Sequence, residues 1–550
     1  MKKTISKLLS AMLVLSLGFS AVACNGDTGD DVTTTTTTPA AGTDNGDETG
    51  DPTDPPGEDE PIDVLNQEER ITIDVAVLTG FTQSGSYMEQ QLEEKYNVDF
   101  NLVVLPGWAD AASRITLMMS DPDQRPDVIW WWSMDNEFVR WVDAGLLTDV
   151  APYMEKYTHM RDYYDDMDPL TLFYASSDDG GIYRIPGDVA EPGTQVTWIR
   201  QDWLDNLGLD TPTTVDELLE VMRAFTEDDP DGNGQADTYG MGGDGQDWRT
   251  FWPFIQGEDY TDYADFMLDA DGNVIYGPAH ENSKIWLEQV AEAYGNGWIT
   301  PNITTDTNRD EEFAASNFGI TYSWVAWNNP GAAPMEANKL AHPEAEWVPI
   351  DMVAGGNGNP QEEPSTSAAW AYFGITDAAE DPERIYAIWD DMSSPENYVF
   401  RRYGEEGVHY TMEDGVYNAI IGPESQENQD ENVGLMIFDN LFNRKDEANL
   451  MNTQETIDLF NKSGDDSRDR AEQQVEWKDP TAFTKWVEIG TDIGDAKDEY
   501  FWGVVSGSRT LDEWDSFISQ LNSIGLEDAL VQANELYEAQ AAAQEDYLAD

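Results

Sequence analysis

From Ile71 to Leu78 the chain reads ITIDVAVL, a β-branched apolar run with the character of a strand. A polar turn from Thr79 to Ser84 follows, and then a helical stretch from Tyr87 to Tyr96. The same order recurs twice. A strand from Asp99 to Leu105 leads through Pro106-Gly107-Trp108 into a helix reaching Met119, and Asp127-Val128-Ile129-Trp130 ends in Trp131-Trp132-Ser133 before a helix that stops near Gly145. This repetition of strand, loop and helix predicts an α/β fold with a parallel sheet. Ligands of open sheets sit beyond the carboxyl ends of the strands, which here carry Thr79, Trp108, Trp131 and Trp132.

The first residues have a different pattern. Lys2, Lys3 and Lys7 precede an apolar, small-residue run from Leu8 to Ala23, too short for a membrane span and typical of an export signal. Cys24, the only cysteine, follows Ala21-Val22-Ala23 as in a lipobox, so residues 1–24 predict a lipoprotein signal with Cys24 as the acylated residue and the membrane reached through that lipid alone. The competing reading is an ordinary cleaved signal with an incidental cysteine. Residues 25–66 are Thr, Asp, Gly, Pro and Glu with almost nothing a core would bury, which predicts a solvated tether.

Charge then narrows the partners. With 29 basic and 109 acidic residues the formal net charge is −80, which excludes a nucleic-acid partner. At molar salt the screening length falls to about 3 Å, so the self-repulsion fades while the carboxylates keep the surface hydrated. The balance predicts a salt-adapted or alkaline extracellular setting. It also strips paired carboxylates, the usual sign of a glycosidase, of most of their information.

Three segments carry a resemblance: Gly145-Leu146-Leu147-Thr148-Asp149-Val150, Gly181-Ile182-Tyr183-Arg184-Ile185-Pro186, and Trp198 to Leu209. They are similar to landmarks of the family 1 extracellular solute-binding proteins, in particular the large Gram-positive lipoprotein branch that includes alginate-oligosaccharide binders. Pro212-Thr213-Thr214 before a helix from Val215 to Phe225, Tyr403 to Tyr410, and Trp514 to Tyr537 extend the likeness from about residue 70 onward. The resemblance implies a periplasmic-binding-protein-like fold, two α/β lobes joined by a hinge and closing on a ligand held between them. It implies a monomer that takes a carbohydrate, an oligosaccharide, and delivers it to the permease subunits of an ABC importer. Gly and Pro clusters put the crossings near Gly180 to Gln195 and Gly355 to Ser367, with a return near Tyr403 to Glu406. One lobe is then 67–190 with 362–405, and the other 191–361 with 406–550.

Asp229, Asp231, Asn233 and Asp237 place oxygens at positions 1, 3, 5 and 9 of a loop with Gly234 at 6 and the Gln235 carbonyl at 7, the first part of a Ca²⁺ loop. Position 12, a bidentate Glu in an EF-hand, is Gly240. The alginate-binder branch takes an acidic ligand at position 10, where this chain has Thr238. Structural calcium is the expectation, and a solvated Asp/Gly turn is the alternative. Asp269-Ala270-Asp271-Gly272-Asn273 lacks the later ligands and reads as a hairpin turn.

Twenty tryptophans demand sorting by position. Trp248, Arg249 and Trp252 lie in a Gly/Asp-rich stretch, and Trp324 and Trp327 follow the strand from Gly319 to Tyr322. Loop aromatics at strand ends offer a flat apolar face to a sugar ring, so these join the ligand candidates, as does Tyr183. Tyr403, Glu406 and His409 either face the cleft or belong to a turn whose His409 is only hydrogen-bonded. Trp286, Trp389, Trp477 and Trp486 have helical spacing among aliphatic residues and read as core, as do Trp198 and Trp203. Binding a uronate would require a basic group, and Arg184, Arg200, Arg249, Arg401 and Arg402 are the candidates.

No G-x-S-x-G, H-E-x-x-H or P-loop is present, and His159, His280, His342 and His409 show no metal-like spacing. The expectation is a non-enzymatic binder. A secreted carboxylate-dependent glycoside hydrolase and a polysaccharide-binding surface protein are the alternatives.

Overall fold

The β-branched run Ile71–Leu78 is an inner strand, paired in parallel and in register with Val98–Leu105 from Ile71↔Val98 to Leu78↔Leu105. It belongs to a computed structural model that describes residues 64–420 and 475–549, except 68, 79–83, 107, 133, 168, 190–194, 259–260, 262–265, 306–308, 325–332, 357–368 and 414–415. Ile73, Val75, Ala76 and Val77 are all buried, because elements cover both faces of the strand. Val98–Leu105 is the sheet edge and alternates buried with exposed positions along its first half. The sheet order is Val98–Leu105, Ile71–Leu78, Val128–Trp132, Ala369–Ile375, Ile185–Val189, with Ala369–Ile375 antiparallel to both neighbours. Helix Tyr87–Tyr96 starts where the Ser86 hydroxyl accepts the Glu89 N–H at 3.2 Å and stops at Asn97, which takes the left-handed conformation.

A second sheet runs Trp347–Ile350, Gln195–Arg200, Phe318–Trp324, Tyr239–Met241, with Gln195–Arg200 antiparallel to the strands on either side of it. Its side chains sort by the period of a strand: Val196 and Trp198 enter a small cluster with Phe313, Phe318 and Trp347, while Ile199 joins a larger core. That larger core takes Leu218, Val221, Met222 and Phe225 from one stripe of helix Val215–Glu227, capped by Thr214. Helices Thr484–Val505, Trp514–Ile524 and Leu526–Ala549 close it from the far end of the sequence. The first sheet has its own core, from Ile73 to Met392. The molecule is thus two α/β lobes, each built on a sheet with a separate core.

Trp286, Trp389, Trp198 and Trp203 are buried, and Trp477 and Trp486 pack against the second core, as their spacing predicts. Strands Phe266–Leu268 and Val274–Tyr276 pair across the Asp269–Asn273 turn. Two strands run further than their sequence implies. Val128–Trp132 includes Trp131 and Trp132, paired to Tyr372 and Ala371, and Phe318–Trp324 includes Trp324, paired to Gln195. In both cases a partner strand distant in sequence extends the ladder past the apolar run.

Candidate functional site

The pairings put the crossings at 190–194 and 357–368 at one end of each sheet. Val189 pairs with Ala369, Ala371 with Trp132, and Gln195 with Trp324, so the strand ends on either side of each crossing neighbour Trp132 in one lobe and Trp324 in the other. Five residues separate Val189 from Gln195, which at full extension keeps those ends within about 22 Å. The carboxyl ends of Ile71–Leu78, Val128–Trp132 and Phe318–Trp324 therefore lie on the side of their sheets from which the chain crosses.

Trp131, Trp132 and Trp324 have their backbones on that side, and Trp108 opens the helix Trp108–Ser120 after the edge strand. Thr79 and Trp327 lie outside the described residues, as does Cys24. Tyr183 is half-buried against the first core, its hydroxyl 3.5 Å from Asp179, and burial with that carboxylate pushes the phenol above its ordinary range.

Two expected platforms are core instead. Trp252 is fully buried, and Trp248 stacks on Trp502 at 4.0 Å, donates its indole N–H to Asp498 at 3.0 Å and meets Trp286 and Phe501. The Gly/Asp-rich flank reads as an open loop, but helix Thr484–Val505 covers it. Arg249 between them is exposed and forked onto Asp247 at 3.0 and 2.6 Å.

At the first lobe, helix Pro395–Tyr403 ends at Gly404, whose φ of +81° and closeness to the His409 ring leave no room for a side chain. His409 is buried. Its Nδ1 accepts the Glu405 N–H at 2.9 Å, and its ring lies 5.2 Å from that of Tyr87. Of the two readings of this segment, His409 follows the hydrogen-bonded one. Tyr87, the first residue of the helix after the first strand, donates its hydroxyl to the exposed Glu405 at 3.1 Å, and Glu406 is exposed beside it. Tyr87 and Glu405 were not among the sequence candidates, although the strand-end argument that selected Thr79 reaches Tyr87 eight residues later.

Arg184 is 5 % exposed. Its guanidinium lies 3.4 Å from Asp135, donates to the carbonyls of Tyr174 and Lys478, the latter at 3.0 Å, and rests over the Tyr372 ring. Burial outweighs this cation at Asp135, whose carboxyl is pushed above the usual range. Lys478 belongs to the second lobe's terminal segment, so the contact joins the lobes. Gln544, which donates to the Tyr174 hydroxyl at 2.9 Å, and Tyr547, 5.6 Å from Phe173, add to it.

In the acidic loop Asp229, Gly232 and Gly234 take left-handed φ. The Asn233 amide donates to Asp231 at 2.8 Å and Asp237 at 3.2 Å, Gly234 N–H donates to Asp229, and Gln235 N–H donates to Asn233. Among the described residues no group of three His, Cys, Asp or Glu side chains has a metal-holding arrangement, so the expected ligand set is not assembled. The Asn233 amide nitrogen lies where inward oxygens were expected. Thr238 is buried with its hydroxyl on the Phe225 carbonyl at 2.7 Å, so position 10 serves the neighbouring helix. Burial, then the Asp229 and Asp237 carboxylates, raises the Asp231 carboxyl above its usual range.

Among the described residues no helix is long and apolar enough to cross a membrane. Against known proteins, the chain is similar to Lipoprotein LipO of Bacillus subtilis (strain 168), 24% identical over 366 residues that span 60% of this chain and 62% of that one. It is 28% identical to the fructooligosaccharide ABC transporter substrate-binding protein FusA of Streptococcus pneumoniae over 244 residues, 41% of this chain and 44% of the relative. The chain thus spans less than two thirds of the curated relatives it matches. Among solved structures, FusA in complex with kestose superposes with a TM-score of 0.65 at 17% identity, covering 86% of this chain and 100% of that one. Alginate-binding protein AlgQ2 without calcium ion gives 0.67 at 20%, covering 86% and 99%. These likenesses are of fold. The family model for bacterial extracellular solute-binding proteins matches residues 79–398, more than half of the chain, and the chain belongs to that family.

Proposed function

We propose that this protein captures an oligosaccharide between its lobes and presents it to the permease subunits of an ABC importer, as a monomer without catalytic turnover. The observation that carries the reading is the position of these carboxyl ends, with Trp131, Trp132 and Trp324 on them, on the side of both sheets from which the chain crosses between lobes. Residues 67–190 and 362–405 form one moving body, 191–361 and most of 406–550 the other, with the Tyr410–Glu413 and Val416–Ala419 hairpin held to the first by His409 on Tyr87. Sugar binding shifts the lobes toward the closed form that the permease recognises. FusA, named as an ABC transporter substrate-binding protein for fructooligosaccharides, and LipO, named as a lipoprotein, support transport and a lipid on Cys24. Titration of the mature chain with neutral and acidic oligosaccharides, followed by calorimetry and by small-angle scattering for closure, tests the reading. Glycosidic turnover, or no binding across the set, refutes it.

The Asp229–Asp237 loop is the calcium site of this reading. The supporting observation is Asp231, whose carboxyl is raised above its usual range first by burial and then by the neighbouring Asp229 and Asp237 carboxyls, a repulsion a divalent cation relieves. Rotating the Asn233 amide turns its oxygen inward beside Asp229, Asp231, Asp237 and the Gln235 carbonyl. The structures of AlgQ2 without calcium and of a FusA EF-hand mutant connect these relatives to such sites. Chelation lowers the melting temperature of the wild type and leaves an Asp231→Asn variant unmoved. Equal behaviour of the two removes the metal.

A further inference from the structure

We propose that the captured saccharide is uncharged, and that uronate-bearing sugars are turned away by the site itself; this rests on the carbohydrate reading above. A sugar carboxylate needs a cation whose charge is not already spent. Arg184 stands at the correct edge, but it is buried under Asp135, two backbone carbonyls and the Tyr372 ring. Arg200 is buried on Asp202, with both carboxylate oxygens engaged at 2.7 and 2.6 Å, and lies over Trp203. Arg249 has the same fork with Asp247, and Arg401 is buried on the Met392 carbonyl and over Tyr398. Lys478 lies over Phe173, and burial holds its amine below the usual range, the reverse of what an anion site does to a lysine. Arg402 has no described side chain and Arg444, Lys445, Lys462, Arg468 and Arg470 lie outside the described residues, so the cations compared are those among the described residues.

The groups open at the same edge have the opposite character. Glu405 is exposed, held in place by the His409 clip on its own N–H and by the Tyr87 hydroxyl, with Glu406 exposed next to it, whereas the Tyr183–Asp179 pair lies at the other end of the sheet, beside Asp149. The Glu405 and Glu406 oxygens accept hydroxyl protons, and Tyr87 adds a half-buried ring beside them. A neutral sugar, rich in O–H donors, suits such a lining. A carboxylate meets like charge there, inside a molecule whose formal charge is −80. Glu405 is the residue that reads the difference, and His409 is its positioning residue.

The experiment is calorimetry on the mature chain with trimers of glucose, galactose, mannose, xylose and fructose, set against trimers of galacturonate and mannuronate, at 0.15 M and 2 M NaCl. At least one neutral trimer binds at least about tenfold more tightly than any uronate at the lower salt, with an affinity that changes less than about threefold between the two salts. Glu405→Gln weakens the neutral ligand about fivefold or more and does not weaken a uronate. Tyr87→Phe, which removes only the hydroxyl that steadies Glu405, weakens the neutral ligand in the same direction with an unchanged far-ultraviolet spectrum. A uronate that binds as well as the best neutral trimer overturns the proposal and leaves the carbohydrate reading standing. Indifference of neutral binding to both variants removes Glu405 from the site and overturns it as well. Failure of every trimer overturns both readings together.

Discussion

Replacing Trp252 by alanine separates a core residue from a cleft residue. The indole is fully buried in the second lobe's core. A buried aromatic removes about 150–250 Å² from water, which at about 25 cal/mol per Å² amounts to roughly 4–6 kcal/mol. A compact denatured state trims this to about 3–5 kcal/mol, the range typical of Trp→Ala in cores. Against a total stability of about 5–15 kcal/mol this is a large fraction. Urea unfolding in 2 M NaCl, which screens the acidic surface, is followed by far-ultraviolet circular dichroism. The midpoint falls by about 1 M or more with little change in slope. Oligosaccharide affinity of the folded variant, measured well below that midpoint, stays within about threefold of wild type. A variant of near-wild-type stability that no longer binds sugar would falsify the core assignment and return Trp252 to the cleft.

Two further perturbations address buried charge. Arg200→Leu strands Asp202, which otherwise accepts both the Arg200 fork and the Glu346 N–H, and costs about 3–5 kcal/mol. Adding Asp202→Asn recovers a substantial part of that loss, and strictly additive losses in the double-variant cycle rule out the coupling. Asp390 is pushed above the ordinary carboxyl range by burial, although it accepts the Met160 N–H at 2.9 Å and the His159 N–H at 3.3 Å. Its raised folded value means that the fold holds the proton more tightly than the unfolded chain. Its contribution is therefore fully present below about pH 3.9 and is lost as pH rises through the folded value. The stability difference between wild type and Asp390→Asn consequently moves in favour of the variant over that interval, read from urea midpoints at stepped pH. A difference that stays flat contradicts the shift.

The sequence reveals those parts of the fold whose cause is local. Ile71–Leu78, helix Tyr87–Tyr96 and the stripe of Val215–Glu227 announce themselves through apolar period and capping residues. What it hides is set by partners far along the chain. Trp248 and Trp252 stand in a Gly/Asp-rich stretch that reads as open, and only the return of Thr484–Val505, with Trp502, Phe501 and Asp498, covers Trp248. Tyr87 gains its meaning from Glu405 and His409, more than 300 residues away. The arginines are legible as candidates, but their engagement with Asp135, Asp202 and Asp247 is a property of the folded chain.

The ring pair of Phe173 and Tyr547, with Gln544 on Tyr174 close by, ties the last helix of one half to a short helix of the other. Any swing of the halves has to slide this clasp, stretch it or let it go, so the ease of opening is set partly at a seam formed by the chain's final turns. On the reading proposed above, shaving or decorating the helix Leu526–Ala549 alters how readily the jaws part.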